Sequence, residues 1–305
     1  MQLFYEGTDI TREVDVVKCV HRDVSGGRCD SIEIELENAA AWYRWQPQRD
    51  DVLEVQMDGY STGILFLNSV LPTAGKYRII ATSLPSAARR RVYAAYEGMR
   101  IADIMAACAA ECGMGSALFG IDKDITYTYL MRHKEGAPAF LNRILQCEGA
   151  VLKALNGRLT AISIEYAQAM EAAQTIRISA DQAGTHYLRR DDVKLAGITI
   201  KTPYANGGAE DVEASYGQHE VFTDYPAMDA AQAARWARGL LLCRNRTAEE
   251  LTVGMEYNPG LTAMTRIDVD SPTDADGQWL LDEVEHDFFH KKSKAKLLRC
   301  VSAIG

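Results

Sequence analysis

The residues that could do chemistry are few, and most lie in the last third of the chain. The segment DVDSPTDADGQWLLDE places Asp274, Asp276, Gly277 and Glu283 at four positions of a calcium-binding loop, including the glycine of the sharp bend and the distal bidentate glutamate. Pro272 stands where the first ligand belongs, and the flanks TRIDVD and QWLLDEVEH alternate like strands, so the segment reads as a hairpin turn with solvated carboxylates. His286 and His290 in EVEHDFFH are four apart, a spacing that chelates zinc on a helix. On a strand, which the alternation favours, such positions are about 13 Å apart and cannot share an ion, so solvated or rim histidines are expected. The seven cysteines (Cys19, Cys29, Cys108, Cys112, Cys147, Cys243, Cys300) are scattered and contain no CxxC pair, which predicts reduced, mostly buried thiols and no metal site. Cys108 and Cys112 lie one helical turn apart, with no further ligands converging on them.

Nucleophilic and cofactor chemistry find little support. There is no GxSxG, no P-loop and no GxGxxG, and the six histidines stand in no triad context, so neither an enzyme nor a cofactor is expected. A carboxylate pair for glycoside hydrolysis leaves no sequence signature, which keeps open an alternative reading as a protein that binds or degrades cell-wall peptidoglycan. Two clusters are candidate interface residues. Arg89, Arg90 and Arg91 form a basic run without interleaved aromatics, more in keeping with a solvated or interface surface than with phosphate binding. Trp42, Tyr43 and Trp45 form an aromatic patch of the kind found at a core edge or at a partner contact.

Composition bounds the alternatives. With 305 residues, 47% hydrophobic and 25% charged, the chain is long enough for two or three compact units of a soluble globular protein. No apolar run approaches the roughly 20 residues needed to span a bilayer, and MQLFYEGTDITREVD lacks the features of a secretory signal, so a cytoplasmic chain without a membrane partner is expected. The net charge is -9 and uneven: Lys201 to His290 holds 17 acids against 6 Lys and Arg, whereas Lys291 to Arg299 holds five cations and no acid. Such a balance argues against wrapping nucleic acid and suits a surface that nucleic acid passes without sticking.

The elements that must position these residues change period along the chain. Between Tyr77 and Cys112 the strand alternation of Tyr77, Ile79 and Ala81 gives way to the helical spacing of Ile101, Ile104, Met105, Cys108 and Cys112, which marks a boundary. Before it, Ile32, Ile34 and Leu36 alternate with glutamates, Leu53, Val55 and Met57 repeat the pattern, and Asp58-Gly59 turns the chain toward Ile64 and Phe66; about five strands in residues 1–85 predict a small antiparallel barrel. Residues 86–166 read as helix, link, helix and hairpin, with Gly113 and Gly149 as stops and Asn156-Gly157 as a type I' turn. Residues 167–305 return to strands, interrupted by an alanine-rich helix near 226–244, and predict a second barrel. The expected class is α+β: two small antiparallel β-barrels with an intervening helix-helix-hairpin domain.

This order resembles the late control gene D protein family of phages with contractile tails. The likeness is carried by SLPSAARRRVYAAYEGMRIADIMAACAAECGM, by APAFLNRILQCEGAVLKALNGRLTAI, and by AAQAARWARGLLL, EELTVGMEYNPGLTAMTRIDV and WLLDEVEHDF. It implies a structural baseplate hub: a homotrimer whose two barrels per subunit alternate around a ring, joining a six-fold tail tube to a three-fold spike. Related hubs occur in type VI secretion spikes and phage-tail-like bacteriocins. The resemblance further implies tail tube, spike and baseplate wedge proteins as partners, DNA passing through without specific binding, and assembly in the host bacterial cytoplasm before residence in the virion tail or bacteriocin particle.

Overall fold

Alternation drives both ends of the chain into strands. Ile32, Ile34 and Leu36 are buried on strand Ser31–Glu37, and Leu53, Val55 and Met57 are buried on Val52–Met57. The structure is a computed structural model that describes residues 1–37, 46–73, 75–179, 186–190, 194–214 and 216–301. Asp58 and Gly59 adopt positive φ angles of 50° and 86° and close the hairpin in which Met57 faces Tyr60. On the following strand the expected phase is off by one residue: Leu65 and Leu67 are buried, while Ile64 and Phe66 are only half-buried.

The protein is mostly β, with four α-helices among the described residues. Its largest sheet has 14 strands. One half runs through Asp15–Val24, Ser31–Glu37, Lys76–Thr82, Leu65–Thr73 and Val52–Met57; the other through Gly277–Asp287, Lys292–Arg299, Glu249–Glu256 and His186–Arg190. The two β blocks expected as separate barrels are thus joined into one sheet, and none of the sheets closes on itself among the described residues. The join is possible because Asp15–Val24 pairs on one edge only within its own block, and Arg266–Asp270 covers the second edge of Gly277–Asp287 only at residues 277–280, which leaves residues 283–287 to meet residues 20–24. They meet antiparallel, with His21 opposite His286. Each half keeps its own apolar core, one around Ile32, Ile34, Leu53 and Leu65, the other around Leu251, Ile267, Trp279 and Leu297.

A third core gathers residues from Ala88 to Leu242 together with Met264 and Leu280. Helices α1 (Ile101–Glu111) and α2 (Ala137–Cys147) fall on the expected positions, with Gly113 and Gly149 at φ 68° and 64° just beyond their ends. The Asn156-Gly157 turn joins Ala150–Leu155 to Arg158–Ser163 in register, followed by the short helix α3 (Ile164–Ala169). Two stretches read as link or helix are strands instead: Val92–Arg100 and Thr126–Glu135 form an antiparallel ribbon. VYAAYEG carries alanines that suit a helix, yet Tyr96 is buried in the core opposite Leu130, and that cross-strand contact decides the conformation. The alanine-rich helix α4 (Ala230–Asn245) covers a three-stranded sheet of Leu195–Lys201, Asn206–Glu210 and Gln218–Phe222, and its Trp236, Ala237 and Leu241 share the central core with α1 and α2. Gly239 makes that contact possible, because a Cβ there would lie 2.1 Å from the Cys147 carbonyl oxygen.

Candidate assembly joints and exposed surfaces

Lys153 interrupts the apolar strand AVLKAL, in which residues 150–154 are all buried, so its ammonium must be paired where it lies. It donates to Asp23 Oδ1, to the Val24 carbonyl at 3.1 Å and to both oxygens of Asp30 at 3.2 Å. The Ala263 amide donates to Asp23 Oδ2 at 3.0 Å, and the Val24 amide to Asp30 Oδ1 at 2.9 Å. One cation therefore ties the N-terminal sheet, the middle hairpin and a C-terminal loop together. The three side chains are only 4%, 6% and 3% exposed for Lys153, Asp23 and Asp30. Burial favours the neutral amine, but the two carboxylates outweigh it and raise Lys153 above the ordinary lysine range. Two carboxylates share one ammonium, and burial pushes Asp30 up to about 6.

The seam between the two halves of the large sheet is filled by aromatic rings. His286 and Phe288 stack at 6.1 Å, Tyr60 meets His286 edge-on at 4.6 Å, and Tyr257 meets Phe288 at 5.7 Å. His286 is fully buried rather than solvated at the rim, because its two ring nitrogens find Ser293 Oγ at 2.9 Å and the Leu261 carbonyl at 3.1 Å. His290 does sit exposed in the turn, against Asp287. His21 bonds Tyr60 Oη through Nδ1 at 3.0 Å, while its buried Nε2 has no partner. Burial holds His21 down at about 3 and lowers His286, so both are neutral at ordinary pH.

Further buried polar contacts mark the other borders. Glu148, 2% exposed in its side chain, accepts from Tyr127 Oη, Trp236 Nε1 and Arg235 Nε, each at 2.7 Å, and so links α2, the ribbon and α4. Arg132, with no exposed side-chain surface, donates to Glu111 at 2.7 Å and to the Arg90 and Glu135 carbonyls. Arg246 donates to Asp282 at 3.1 Å, as does Arg28 on the same carboxylate, joining the end of α4 to both sheet halves.

The acids and histidines singled out from the sequence do not converge on one site among the described residues. Asp274 pairs with Arg190, Asp276 accepts from the Ser271 amide, and Glu283 pairs with Arg28, so the acid-rich turn is split among separate partners. Arg299 closes that turn: it donates to the Asp274 and Asp276 carbonyls and lies 4.2 Å from the Trp279 ring centroid. Among the described residues no group of three or more His, Cys, Asp or Glu is placed to hold a metal ion. A groove of about 910 Å³ runs beside Gln174–Arg177 and Glu249–Glu256, but its acids are engaged, Glu285 with Arg22, Asp287 with His290 and Glu256 with Lys292. Arg89, Arg90 and Arg91 are exposed at the link between the N-terminal sheet and the ribbon, where Arg89 donates to Asn68 at 2.7 Å. Trp42, Tyr43 and Trp45 lie outside the described residues. All seven cysteines are free thiols. No helix among the described residues is long and apolar enough to cross a membrane.

The buried charges escaped the sequence reading. Their one signal was a charge inside an otherwise apolar run, as in AVLKAL, and that signal names the need for a partner without naming the partner.

No protein-family model and no curated protein sequence matches the chain. Solved structures do. A tail protein from Neisseria meningitidis MC58 superposes with a TM-score of 0.76 at 11% identity, covering 98% of this chain and 95% of its own. The 43 kDa tail protein of prophage MuSo2 from Shewanella oneidensis gives 0.74 at 12% identity, covering 100% and 99%. A component of the E. coli type VI secretion system, described as structurally similar to bacteriophage T4 tail proteins, gives 0.57 at 10% identity over 99% of this chain and 77% of its own. At these identities the likeness is one of fold. From end to end, the chain has the fold of phage tail proteins and of a type VI secretion component.

Proposed function

We propose that this chain is a structural baseplate hub protein of a phage tail or a phage-tail-like injection particle. Three copies form a ring that joins the six-fold tail tube to the three-fold spike, each contributing two tube-like β modules, residues 1–85 and 167–305, with residues 86–166 between them. Tail tube, spike and baseplate wedge proteins are its neighbours, and DNA passes without specific binding. Its work is assembly, with no catalysed step; it is made in the host bacterial cytoplasm and resides in the mature particle.

The observation that supports this reading best is the fold likeness to tail proteins over 98% and 100% of the chain. The polar joints support it, since they tie three cores into one unit that can be handled as a rigid part. Light scattering on the purified chain and microscopy of the assembled particle test the proposal. Three-fold density at the tube-spike junction is expected, and a particle assembled normally without this chain would overturn it.

A further inference from the structure

The two halves of the large sheet meet along one short joint. Asp15–Val24 pairs with Gly277–Asp287 over five residue pairs, from Val24 opposite Glu283 to Val20 opposite Asp287, and no other strands link the halves among the described residues. His21 and His286 stand directly opposite each other there, 1% and 0% exposed. Phe288 stacks on both rings, at 6.4 and 6.1 Å, and Tyr60 meets them at 5.8 and 4.6 Å. Two groups that gain charge in mild acid are thus held in register among aromatic rings. The segment Tyr257–Thr265 straps the joint: Tyr257 Oη donates to the Met57 carbonyl at 3.0 Å, the Leu261 carbonyl accepts from His286, and the Ala263 amide donates to Asp23. Within the strap Met264 holds φ 69°, a conformation imposed on a non-glycine residue by its surroundings.

Neither histidine has a place for a second proton. The Leu261 carbonyl can only accept, so Nε2 of His286 carries its proton and Nδ1 accepts from Ser293 Oγ. That oxygen also accepts from the Asn258 amide, and a proton added to Nδ1 would meet the hydroxyl's own. His21 uses Nδ1 for Tyr60 Oη, and its buried Nε2 has no partner among the described residues. The groups around the pair do not compensate. Asp23 shares the inner face with His21, but its two oxygens are taken by Lys153 and the Ala263 amide, and Asp30 is taken by Lys153 as well. Tyr60, Tyr257 and the Cys19 thiol are neutral in acid. Glu285 and Asp287 lie on the outer face, paired with Arg22 and His290. Glu33, Glu35, Lys292 and Lys294 of the flanking strands alternate with buried Ile32, Ile34, Ser293 and Ala295, and so face outward too.

We infer that this joint is an acid-operated latch: protons on His21 and His286 part Asp15–Val24 from Gly277–Asp287, while each half keeps its own core. Two buried cations in register repel, and parting the strands gives both rings to water. The sign follows from linkage. Burial weakens proton binding in the closed joint, holding His21 at about 3 and lowering His286, whereas in the open joint both return toward about 6.5. Closure is therefore complete above about pH 6.5, and each pH unit below it favours opening by up to about ten-fold per histidine. Lys153, Asp23 and Asp30 remain together when the strands part, so the titration of Asp30 does not enter.

The chain carries its own probes. Cys19 is fully buried in the N-terminal core together with Phe288, whose amide donates to the Cys19 carbonyl at 2.9 Å, so opening the joint draws Phe288 off that core. Cys108 and Cys147 are buried in the central core and report global unfolding. The full chain is labelled with dithiodipyridine, read by peptide mass mapping and normalised to the unfolded chain at the same pH. Protection of Cys19 should fall at least about ten-fold from pH 7 to pH 5, while Cys108 and Cys147 keep theirs. His21→Phe with His286→Gln should hold that change under about three-fold, and melts at pH 7 check that the variant folds. Hydrogen exchange of the wild type, corrected for the intrinsic rate, reads the same opening without a variant: residues 15–24 and 277–287 should lose protection at pH 5 before the central core does. Cys19 protection unchanged at pH 5, thiols of both cores opening together, or a folded double variant as acid-labile as the wild type overturns the latch.

Discussion

Replacing Lys153 by methionine removes the single cation that serves two buried carboxylates. The methionine fills much of the same apolar channel, so the change is chiefly electrostatic. Asp23 would keep only the Ala263 amide and Asp30 only the Val24 amide, both still buried. Stripping one partner from a buried ion pair costs about 3–5 kcal/mol, and at about 2–4 °C per kcal/mol for large domains the midpoint should fall by at least about 6 °C at pH 7. The loss should depend on pH in a definite sense. Asp30 is already raised to about 6 with its ammonium present, and without it the carboxyl is raised further. A carboxyl whose folded pKa lies above its unfolded value costs stability when ionised, and that cost disappears as pH falls through the folded pKa toward the unfolded value near 3.9. The gap between wild type and Lys153→Met should therefore narrow between pH 7 and pH 5. Circular-dichroism melts at both pH values measure it. A shift under about 2 °C at pH 7, or a gap that does not narrow, would refute the reasoning.

Two further substitutions probe the seam and the helix crossing. His21 is neutral when folded and held at about 3, so its contribution is complete above the unfolded value near 6.5 and is lost as pH falls toward 3. At about 1.36 kcal/mol per unit, the wild type should lose about 2 kcal/mol through this group by pH 5; His21→Phe should be less acid-sensitive by that amount, and parallel pH profiles in urea melts would count against the assignment. Gly239→Ala would place a Cβ 2.1 Å from the Cys147 carbonyl oxygen and 2.4 Å from the Gly149 amide, both backbone atoms that cannot swing away. About 3 kcal/mol of destabilisation or insoluble expression is expected, and a midpoint within about 1 °C of wild type would show that α4 does not cross there.

What the sequence discloses follows from the range of the forces involved. Alternation in Ile32, Ile34 and Leu36, and the positive-φ turns at Asp58-Gly59 and Asn156-Gly157, are set by neighbours a few residues away and are legible. So are α1 and α2, whose apolar faces and glycine stops are local. The ribbon at Val92–Arg100 was not legible, because its partner lies some thirty residues on and its alanines fit either conformation. The pairing of Asp15–Val24 with Gly277–Asp287 joins opposite ends of the chain, and no local pattern announces it. Buried His286 is the sharpest case: the strand alternation excludes a shared zinc with His290, yet burial depends on Ser293 and the Leu261 carbonyl, which only the fold supplies.

The borders between the three cores carry charge where apolar contact would hold equally well. Replacing a buried ion pair by well-packed apolar groups is often neutral or stabilising, so stability alone does not account for Lys153 with Asp23 and Asp30, or for Arg246 with Asp282. Apolar contact has no direction, whereas hydrogen-bonded charges fix distance and angle. We take orientation to be the role of these joints. The surfaces that would meet a neighbouring copy in the proposed ring belong to parts of the fold built on different cores, and if those parts shifted against each other, ordering them would subtract from association. Lys153→Met, kept folded at low temperature, should then self-associate more weakly than wild type although no surface residue has been altered. Sedimentation equilibrium reads that difference, and association equal to wild type would refute the role.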